Sequence, residues 1–191
     1  PGGIDEGLRH VALLLSIDKK NGPAAMALMK ALTAERPQSA AAQRALALLA
    51  FRFEDIPLTE KAAREALRLA PAEKESTLLL VAALVKRGDL TAADQAIAPL
   101  FEGKDSLDLR LGYAKLLIDS NQRVAAQKQL QKVLELDANS ADAHLAMGLL
   151  LLDERNPIAA EPHFTTLLDK PDRRSDAAYY LGRIAEMRQQ P

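Results

Sequence analysis

Residues Ser140–Gly148 read SADAHLAMG, and residues Ser175–Gly182 read SDAAYYLG. The glycines that end these two stretches lie 34 residues apart. The same slot recurs upstream every 33 to 35 residues, which gives a first ladder of mostly small residues at Ala12, Ala47, Val81, Ala114, Gly148 and Gly182. A second ladder follows 12 or 13 residues behind the first, at Ala25, Thr59, Ala93, Ala126 and Ala160. A fixed period of this length indicates a stacked repeat protein.

Further apolar residues, most of them larger than alanine, recur at fixed distances after the second ladder. Four residues beyond it stand Met29, Ala63, Ile97, Leu130 and Phe164, and three residues further stand Leu32, Ala66, Leu100, Val133 and Leu167. Spacing of four and then three places them on one face of a helix. Turns rich in Gly, Asn, Asp and Pro separate this helix from the one that carries the first ladder, so each repeat is predicted to be a helical hairpin.

The sequence therefore predicts a single all-α array over residues 5–191. Its repeats are predicted at 5–39, 40–73, 74–106, 107–140 and 141–174, with a last helix at 175–188. Residues 1–4 are predicted to be disordered or an edge of the chain. Pro99 and Pro162 fall inside predicted helices, where proline removes a hydrogen bond, so a kink or an early end is expected at each.

The pattern resembles the tetratricopeptide repeat, whose signature places a Gly or Ala, a later Ala and Phe, and a closing Pro at fixed offsets. In the fifth copy these are Gly148, Ala160, Phe164 and Pro171, with Pro171 one place early. The resemblance covers residues 5–188 and implies a right-handed superhelical solenoid of antiparallel helix pairs. No copy has the Trp of the signature. The competing fold is another helical-hairpin solenoid, whose usual period is about 40 residues.

Composition argues against several classes of function. The chain has 25 Lys and Arg against 26 Asp and Glu, so it lacks the basic excess that nucleic-acid binding usually needs. It has no Cys, and His10, His144 and His163 have no metal-ligand spacing. No catalytic motif is present, so neither enzymatic activity nor a cofactor or metal is expected. The longest apolar stretches, Leu78–Val85 and Leu145–Leu152, are much shorter than the roughly 20 residues that span a bilayer.

The resemblance implies that the first helix of each repeat lines a concave groove that binds another polypeptide. Carried onto this sequence, the groove residues are Arg9, Leu13, Arg44, Leu48, Phe51, Arg52, Lys86, Lys115, Asp119, Leu145, Leu149, Leu152, Asp153, Tyr179 and Arg183. The leucines are candidate anchor sites, although they could instead pack between neighbouring helices. Basic residues stand in the N-terminal half and acidic ones in the C-terminal half, which predicts that the acidic part of a bound segment lies toward the first repeats.

The predicted function is a non-enzymatic scaffold or adaptor that binds a peptide segment or a partner protein. The Ala- and Leu-rich, Cys-free composition is similar to that of bacterial envelope repeat lipoproteins. It favours the periplasm or an outer-membrane anchor over the cytoplasm, with a role in assembling an envelope complex. One alternative is an architectural segment of a longer chain that self-associates through the last helix. Another is a regulatory array fused to a catalytic domain outside these residues.

Overall fold

The computed structural model describes residue 11, residues 21–102 and residues 106–189. None of these residues belongs to a strand, so the prediction of an all-α chain is confirmed. The first helix of the first predicted repeat lies outside the described residues, apart from Val11. Contacts divide the chain into two compact units, Pro1–Leu100 and Phe101–Pro191.

In the described part of the first unit, five α-helices follow one another: α1 (Gly22–Glu35), α2 (Ala40–Arg52), α3 (Ile56–Leu69), α4 (Lys74–Arg87) and α5 (Leu90–Ile97). Each helix packs against the next, and α2 also contacts α4. Helix α4 is buried on several sides, from Leu80 to Val85, which explains why its sequence is apolar almost throughout.

The described part of the second unit repeats this arrangement. Its helices are α6 (Ser106–Asp119), α7 (Arg123–Leu136), α8 (Ala141–Asp153), α9 (Pro157–Leu167) and α10 (Arg174–Gln189). Again each helix packs against the next, and α6 also contacts α8. Side chains from α9 and α10 form a core that contains Phe164, Leu167, Ala177 and Ile184.

The two ladders mark the places where paired helices meet. Every member of the second ladder is fully buried, and Ala47, Val81, Ala114 and Gly148 of the first ladder are buried as well. Thr59 fits its slot because its hydroxyl donates to the carbonyl of Asp55 at 2.8 Å. Gly182 is exposed, since no helix in the described residues follows α10 to cover it.

Gly148 shows how close the helices come. A Cβ atom built on Gly148 would lie 2.7 Å from the Cζ atom of Phe164, whereas nothing lies within 4 Å of a Cβ atom on Gly182. The Phe164 ring is fully buried and stacks on Tyr180 at 4.9 Å between ring centroids, so it has little room to move. The first ladder therefore has to be small where a bulky residue of the partner helix faces it.

The turns inside the hairpins share one backbone conformation. Glu54, Gly88, Asn121 and Arg155 all have positive φ, between 57° and 86°, and they recur every 33 or 34 residues. In each turn the next residue donates its N–H to the carbonyl five residues back, as from Asp55 to Ala50 at 2.9 Å. This pair of features is the Schellman motif, which pairs carbonyl groups at the end of a helix.

The residue after each left-handed position also begins the next helix. Asp55, Asp89 and Asn156 each accept a hydrogen bond from the backbone N–H three residues later. Such N-caps pair backbone N–H groups that the first turn of a helix leaves free. The bond from the Ala92 N–H, followed by the one from the Arg87 side chain, lowers the pKa of Asp89. One residue therefore closes one helix and opens the next, which keeps the hairpin turn short.

Polar bridges join successive repeats at a constant separation. Glu60 bonds to Arg87, Gln127 to Glu154 and Glu161 to Arg188, each at 2.8 Å and each across 27 residues. Every bridge connects the first half of one helix to the last turn of the next helix or the turn that follows it. The positions of the bridging residues therefore repeat, although one bridge joins Gln to Glu and the other two join Glu to Arg.

The two prolines behave differently. Helix α5 ends at Ile97, and Ala98–Glu102 continues as a 3-10 helix that contains Pro99. An early end at Pro99 is therefore confirmed. Helix α9 runs through Pro162 to Leu167, so an early end at Pro162 is wrong, and a kink there stays a prediction. The residue whose carbonyl loses its usual partner, Ile158, is exposed, and water can pair with that carbonyl instead.

Alanine at Gly148 and at Gly182 should change stability in opposite directions. At Gly182, in an exposed helix interior, alanine should stabilise the protein by about 0.5–1 kcal/mol. At Gly148 the new methyl group meets the Phe164 ring, and overpacking should cost about 1–3 kcal/mol, more than the helix gains. Urea unfolding of both variants and the wild type measures the difference. A Gly148→Ala protein at least as stable as the wild type would contradict this account of the first ladder.

Replacing Glu54 by glycine should stabilise the first unit. A residue with a Cβ atom is destabilised by about 1–2 kcal/mol in the left-handed conformation, and glycine avoids this strain. Glycine also loses more conformational entropy on folding, so the expected net stabilisation is about 0.5–1 kcal/mol. Gly88→Ala is the matched control, because nothing lies within 4 Å of the added Cβ atom and only backbone strain remains. It should destabilise by about 1 kcal/mol. Thermal and urea unfolding compare the pair, and a destabilised Glu54→Gly protein would show that the side chain has another role.

Candidate functional site

One face of α2 carries the predicted groove residues of the first unit. Arg44, Leu48 and Phe51 recur at helical spacing, with Arg52 beside them. Leu48 is 59% exposed and Phe51 is half-buried, so this face presents apolar surface to solvent. Lys86 lies exposed near the end of α4.

The charge of Arg44 is neutralised. Its guanidinium lies 2.5 Å from Glu73 and 4.0 Å from Glu75. Arg52 and Lys86 have no ion-pair partner within the described part of the chain, so they carry the free positive charge of this surface. The net positive charge expected in the N-terminal half of the predicted groove is therefore smaller than a count of its basic residues indicates, because Arg44 is paired.

The C-terminal end of α8 and the second half of α10 enclose a pocket of about 790 Å³ in the second unit. It is termed the α8–α10 pocket, and its lining consists of Leu149, Leu152, Asp153, Arg155, Pro157, Tyr180, Arg183 and Met187. Its volume falls within the roughly 300–1,000 Å³ of ordinary ligand pockets. Four of the predicted groove residues are brought together here: Leu149, Leu152, Asp153 and Arg183.

The apolar wall of this pocket is partly fixed by the core. Leu152 and Tyr180 are half-buried and pack against the cluster around Phe164, whereas Leu149 is 38% exposed. Leu145, another predicted anchor, packs against the same cluster and does not line the pocket. Leu149, which is partly exposed, therefore stays a candidate anchor, whereas Leu145 packs against the core.

The electrostatics of the α8–α10 pocket favour anions. The Asp153 carboxylate forms an ion pair with Arg123 of α7. Arg155 and Arg183 line the pocket without an acidic partner among the described residues. Because Asp153 is neutralised and two guanidinium groups remain, the lining of this pocket is not acidic, whereas Asp119 on α6 keeps its exposed carboxylate.

Other predicted residues lie elsewhere. Lys115 and Asp119 are exposed on α6, and Tyr179 is 61% exposed on α10, but none of the three lines the pocket. Arg9 and Leu13 lie outside the described residues. Arg155 and Pro157 were not predicted, because the prediction was confined to the first helix of each repeat: Arg155 lies in the turn after α8, and Pro157 is the first residue of α9. Met187 lies four residues after Arg183 on the same helix face and could have been found by that spacing.

The structure brings His144 and His163 together, which their sequence spacing did not indicate. Their Nδ1 atoms lie 2.9 Å apart, and Nε2 of His144 lies 3.0 Å from the carbonyl oxygen of Ala138. A carbonyl only accepts, so Nε2 of His144 donates to it, and Nδ1 of the neutral ring accepts from His163. Burial, followed by the nearby His144, lowers the pKa of His163.

No group of three or more His, Cys, Asp or Glu side chains in the described ranges could hold a metal ion. Among the helices of those ranges, none is both long enough and apolar enough to cross a membrane.

Solved structures similar to this chain are tetratricopeptide-repeat proteins. One from Parabacteroides merdae has a TM-score of 0.62 and 18% identity, over 94% of this chain and 77% of that one. PilF of Pseudomonas aeruginosa has a TM-score of 0.60 and 18% identity, over 98% and 86%. YrrB, described as a repeat protein with an unusual peptide-binding site, has a TM-score of 0.59 and 18% identity, over 91% and 89%. The chain has the tetratricopeptide-repeat fold.

The resemblance predicted from the sequence is thereby confirmed at the level of the tetratricopeptide-repeat fold. No protein-family profile matches the sequence, and no curated protein matches it in sequence. Structural similarity at 18% identity shows a shared fold and no more.

Stability should depend on pH through His163. Its pKa is lowered in the folded protein, so the unfolded chain binds a proton that the folded chain excludes. The free energy of unfolding should therefore fall as the pH falls below about 6.5, the ordinary histidine value. Urea unfolding of the wild type and of His163→Gln at several pH values tests this, because carboxylate effects are common to both proteins. Equal slopes for the two proteins between about pH 7 and 5 would contradict the assignment.

Proposed function

We propose that this chain is a non-enzymatic scaffold that binds a segment of another polypeptide in the α8–α10 pocket. The observation that carries the proposal is the convergence of Leu149, Leu152, Asp153 and Arg183 from two helices onto one open pocket. The faces of α2 and α6 that carry the other predicted residues are proposed as further contact surface. The description of YrrB as a repeat protein with a peptide-binding site supports peptide binding on this fold.

The chemistry of the pocket defines what it would bind. Leu149, Leu152 and Met187 can receive a bulky apolar side chain, and interface energy concentrates on such buried anchors. Arg155 and Arg183 can each pair with a carboxylate of the bound segment, and guanidinium groups do this with two parallel hydrogen bonds. The proposed ligand is therefore a peptide segment with an apolar residue next to an acidic residue or a C-terminal carboxylate.

A bacterial envelope complex is the proposed setting. The support for it is the Ala-rich, Leu-rich and Cys-free composition. The alternatives are a self-associating segment and a regulatory array of a longer protein. Self-association was expected through the last helix, α10, where Tyr180 packs on Phe164 and Tyr179 presents an exposed ring.

Leu149→Arg should abolish peptide binding while preserving helicity. The substitution replaces an apolar part of the pocket wall with a larger, charged side chain, so the apolar residue of the ligand loses the site that receives it. An array of random 15-residue peptides probed with the wild-type chain identifies ligands, and fluorescence anisotropy then measures their affinity. The expected loss is at least tenfold, or about 1.4 kcal/mol.

Ile158→Arg is the matched control for this measurement. Ile158 is 73% exposed on α9 and does not line the pocket, so the same change in size and charge should leave affinity within about twofold. Circular dichroism checks that both variants remain helical. If Leu149→Arg binds the selected peptides as tightly as Ile158→Arg does, the α8–α10 pocket is not the binding site.

A further inference from the structure

The first unit contains a second pocket, which the predicted groove does not include. It has a volume of about 870 Å³ and lies between α1 and α3, with side chains of α2 beneath and Arg87 of α4 at one end. It is termed the α1–α3 pocket. Gln43 and Leu46 contribute to it from α2, whereas the predicted groove residues Arg44 and Leu48 of the same helix do not line it.

The floor of the α1–α3 pocket is apolar. Leu46 and Ala62 are buried at its base, and Leu58 is half-buried beside them. Thr33 donates its hydroxyl to the Met29 carbonyl at 2.7 Å, so that hydroxyl is already bonded within its own helix. A bulky apolar side chain of a ligand would therefore lose water on this floor without leaving a polar group unpaired.

The rim of the pocket is cationic. Five basic residues line it, Lys30, Lys61, Arg64, Arg68 and Arg87, against two acidic residues, Glu60 and Glu65. The lining thus carries a formal charge of 5 − 2 = +3, although the whole chain carries −1. Arg68 is paired with Glu65 through two hydrogen bonds of 2.9 and 2.8 Å. Lys30 and Lys61 are exposed and have no acidic partner among the described residues.

Glu60 holds two of the arginines in place. Its side chain is only 7% exposed, and its carboxylate accepts hydrogen bonds from Arg64 of the same helix and from Arg87 at 2.9 and 2.8 Å. A buried carboxylate needs such partners, because an unpaired one would cost several kcal/mol. Arg87 also donates to Asp89 at 3.0 Å. Both guanidinium groups are therefore fixed at the pocket, and each keeps further N–H groups that can donate.

We infer that the α1–α3 pocket binds an acidic segment of a partner polypeptide. A bulky apolar side chain of the segment lies on the floor of Leu46, Leu58 and Ala62. Its flanking carboxylates pair with Lys30 and Lys61. Charge complementarity identifies the partner, because a lining of +3 attracts an acidic chain and repels a basic one.

The lining also distinguishes this partner from nucleic acid. Bases bound without sequence preference stack on aromatic side chains, and no aromatic residue lines the described part of the pocket. A free small anion would leave the apolar floor unused. An acidic peptide with an apolar residue uses both the floor and the rim.

The test uses the peptide GEELEELEEG, labelled with fluorescein, and the full chain at about 0.15 M salt. Fluorescence anisotropy measures its affinity for the wild type and for Lys30→Glu/Lys61→Glu. The charge-reversed variant should bind at least tenfold more weakly. The control Lys128→Glu/Lys170→Glu changes the net charge equally but alters residues that do not line the pocket, and it should bind within about twofold of the wild type. If the reversed variant loses helicity, Lys30→Gln/Lys61→Gln replaces it, with an expected loss of about threefold.

Matched peptides separate the two parts of the recognition. A peptide in which every glutamate is replaced by glutamine lacks the negative charges and should bind at least tenfold more weakly. A peptide in which every leucine is replaced by asparagine lacks the apolar side chains and should also bind at least tenfold more weakly. Equal binding of the asparagine peptide would show a general anion site and overturn the inference. Absence of binding by the acidic peptide would also overturn it.

The same measurements distinguish this inference from the proposed function. Binding lost in Leu149→Arg/Arg183→Glu but kept in Lys30→Glu/Lys61→Glu would assign the peptide to the α8–α10 pocket and overturn the inference while supporting the proposed function. The opposite pattern supports the inference and leaves the proposed function to its own test. A dimer seen by sedimentation and abolished by Lys30→Glu/Lys61→Glu would make a second copy of this chain the occupant, which also overturns the inference.

Discussion

The close approach of paired helices at the two ladders is the constraint on which each unit depends. Gly148 packs so closely against Phe164 that a single added methyl group would clash with the ring. The ladder residues themselves bury little area. They allow larger neighbours such as Leu130, Val133 and Phe164 to be fully buried between helices, and burial of that apolar surface drives folding. A hairpin alone leaves part of this surface open, so each helix also packs on the one that follows.

The ladders could be predicted from the sequence because few residue types are small enough to stand where two paired helices cross. The sequence predicted that turns separate the two helices of each hairpin, but it did not predict the left-handed residue in each turn. Glycine at position 88 is the usual residue for a left-handed turn, yet Glu54 and Arg155 adopt the same conformation without it. Their backbones are set by the Schellman bonds before them and the caps after them, as at Asp55 and Asn156. Tertiary geometry has overridden the local preference of these residues.

The repeating pattern in the sequence could not predict which side chains form hydrogen bonds and ion pairs with each other. The bridge across 27 residues joins Glu to Arg, then Gln to Glu, then Glu to Arg, so the positions repeat while the chemistry changes. The Arg123–Asp153 pair neutralises one of the acidic residues expected in the C-terminal half, and the Arg44–Glu73 pair neutralises one of the basic residues expected in the N-terminal half. A pattern of small and large residues specifies where helices cross. It does not specify which charged tips meet across neighbouring repeats.

Glu60 departs from its counterparts in the same bridge, and the departure coincides with the α1–α3 pocket. Glu161, the equivalent acidic residue of the second unit, is 43% exposed and bonds to one arginine. Glu60 is nearly buried and bonds to two, so it bears a desolvation cost that Glu161 avoids. A bridge that only joined repeats would gain nothing from that burial, since an exposed pair with the same separation performs the task elsewhere. What the buried carboxylate adds is two oriented guanidinium groups beside an apolar floor, and orientation of donors before a ligand arrives is what recognition of carboxylates requires.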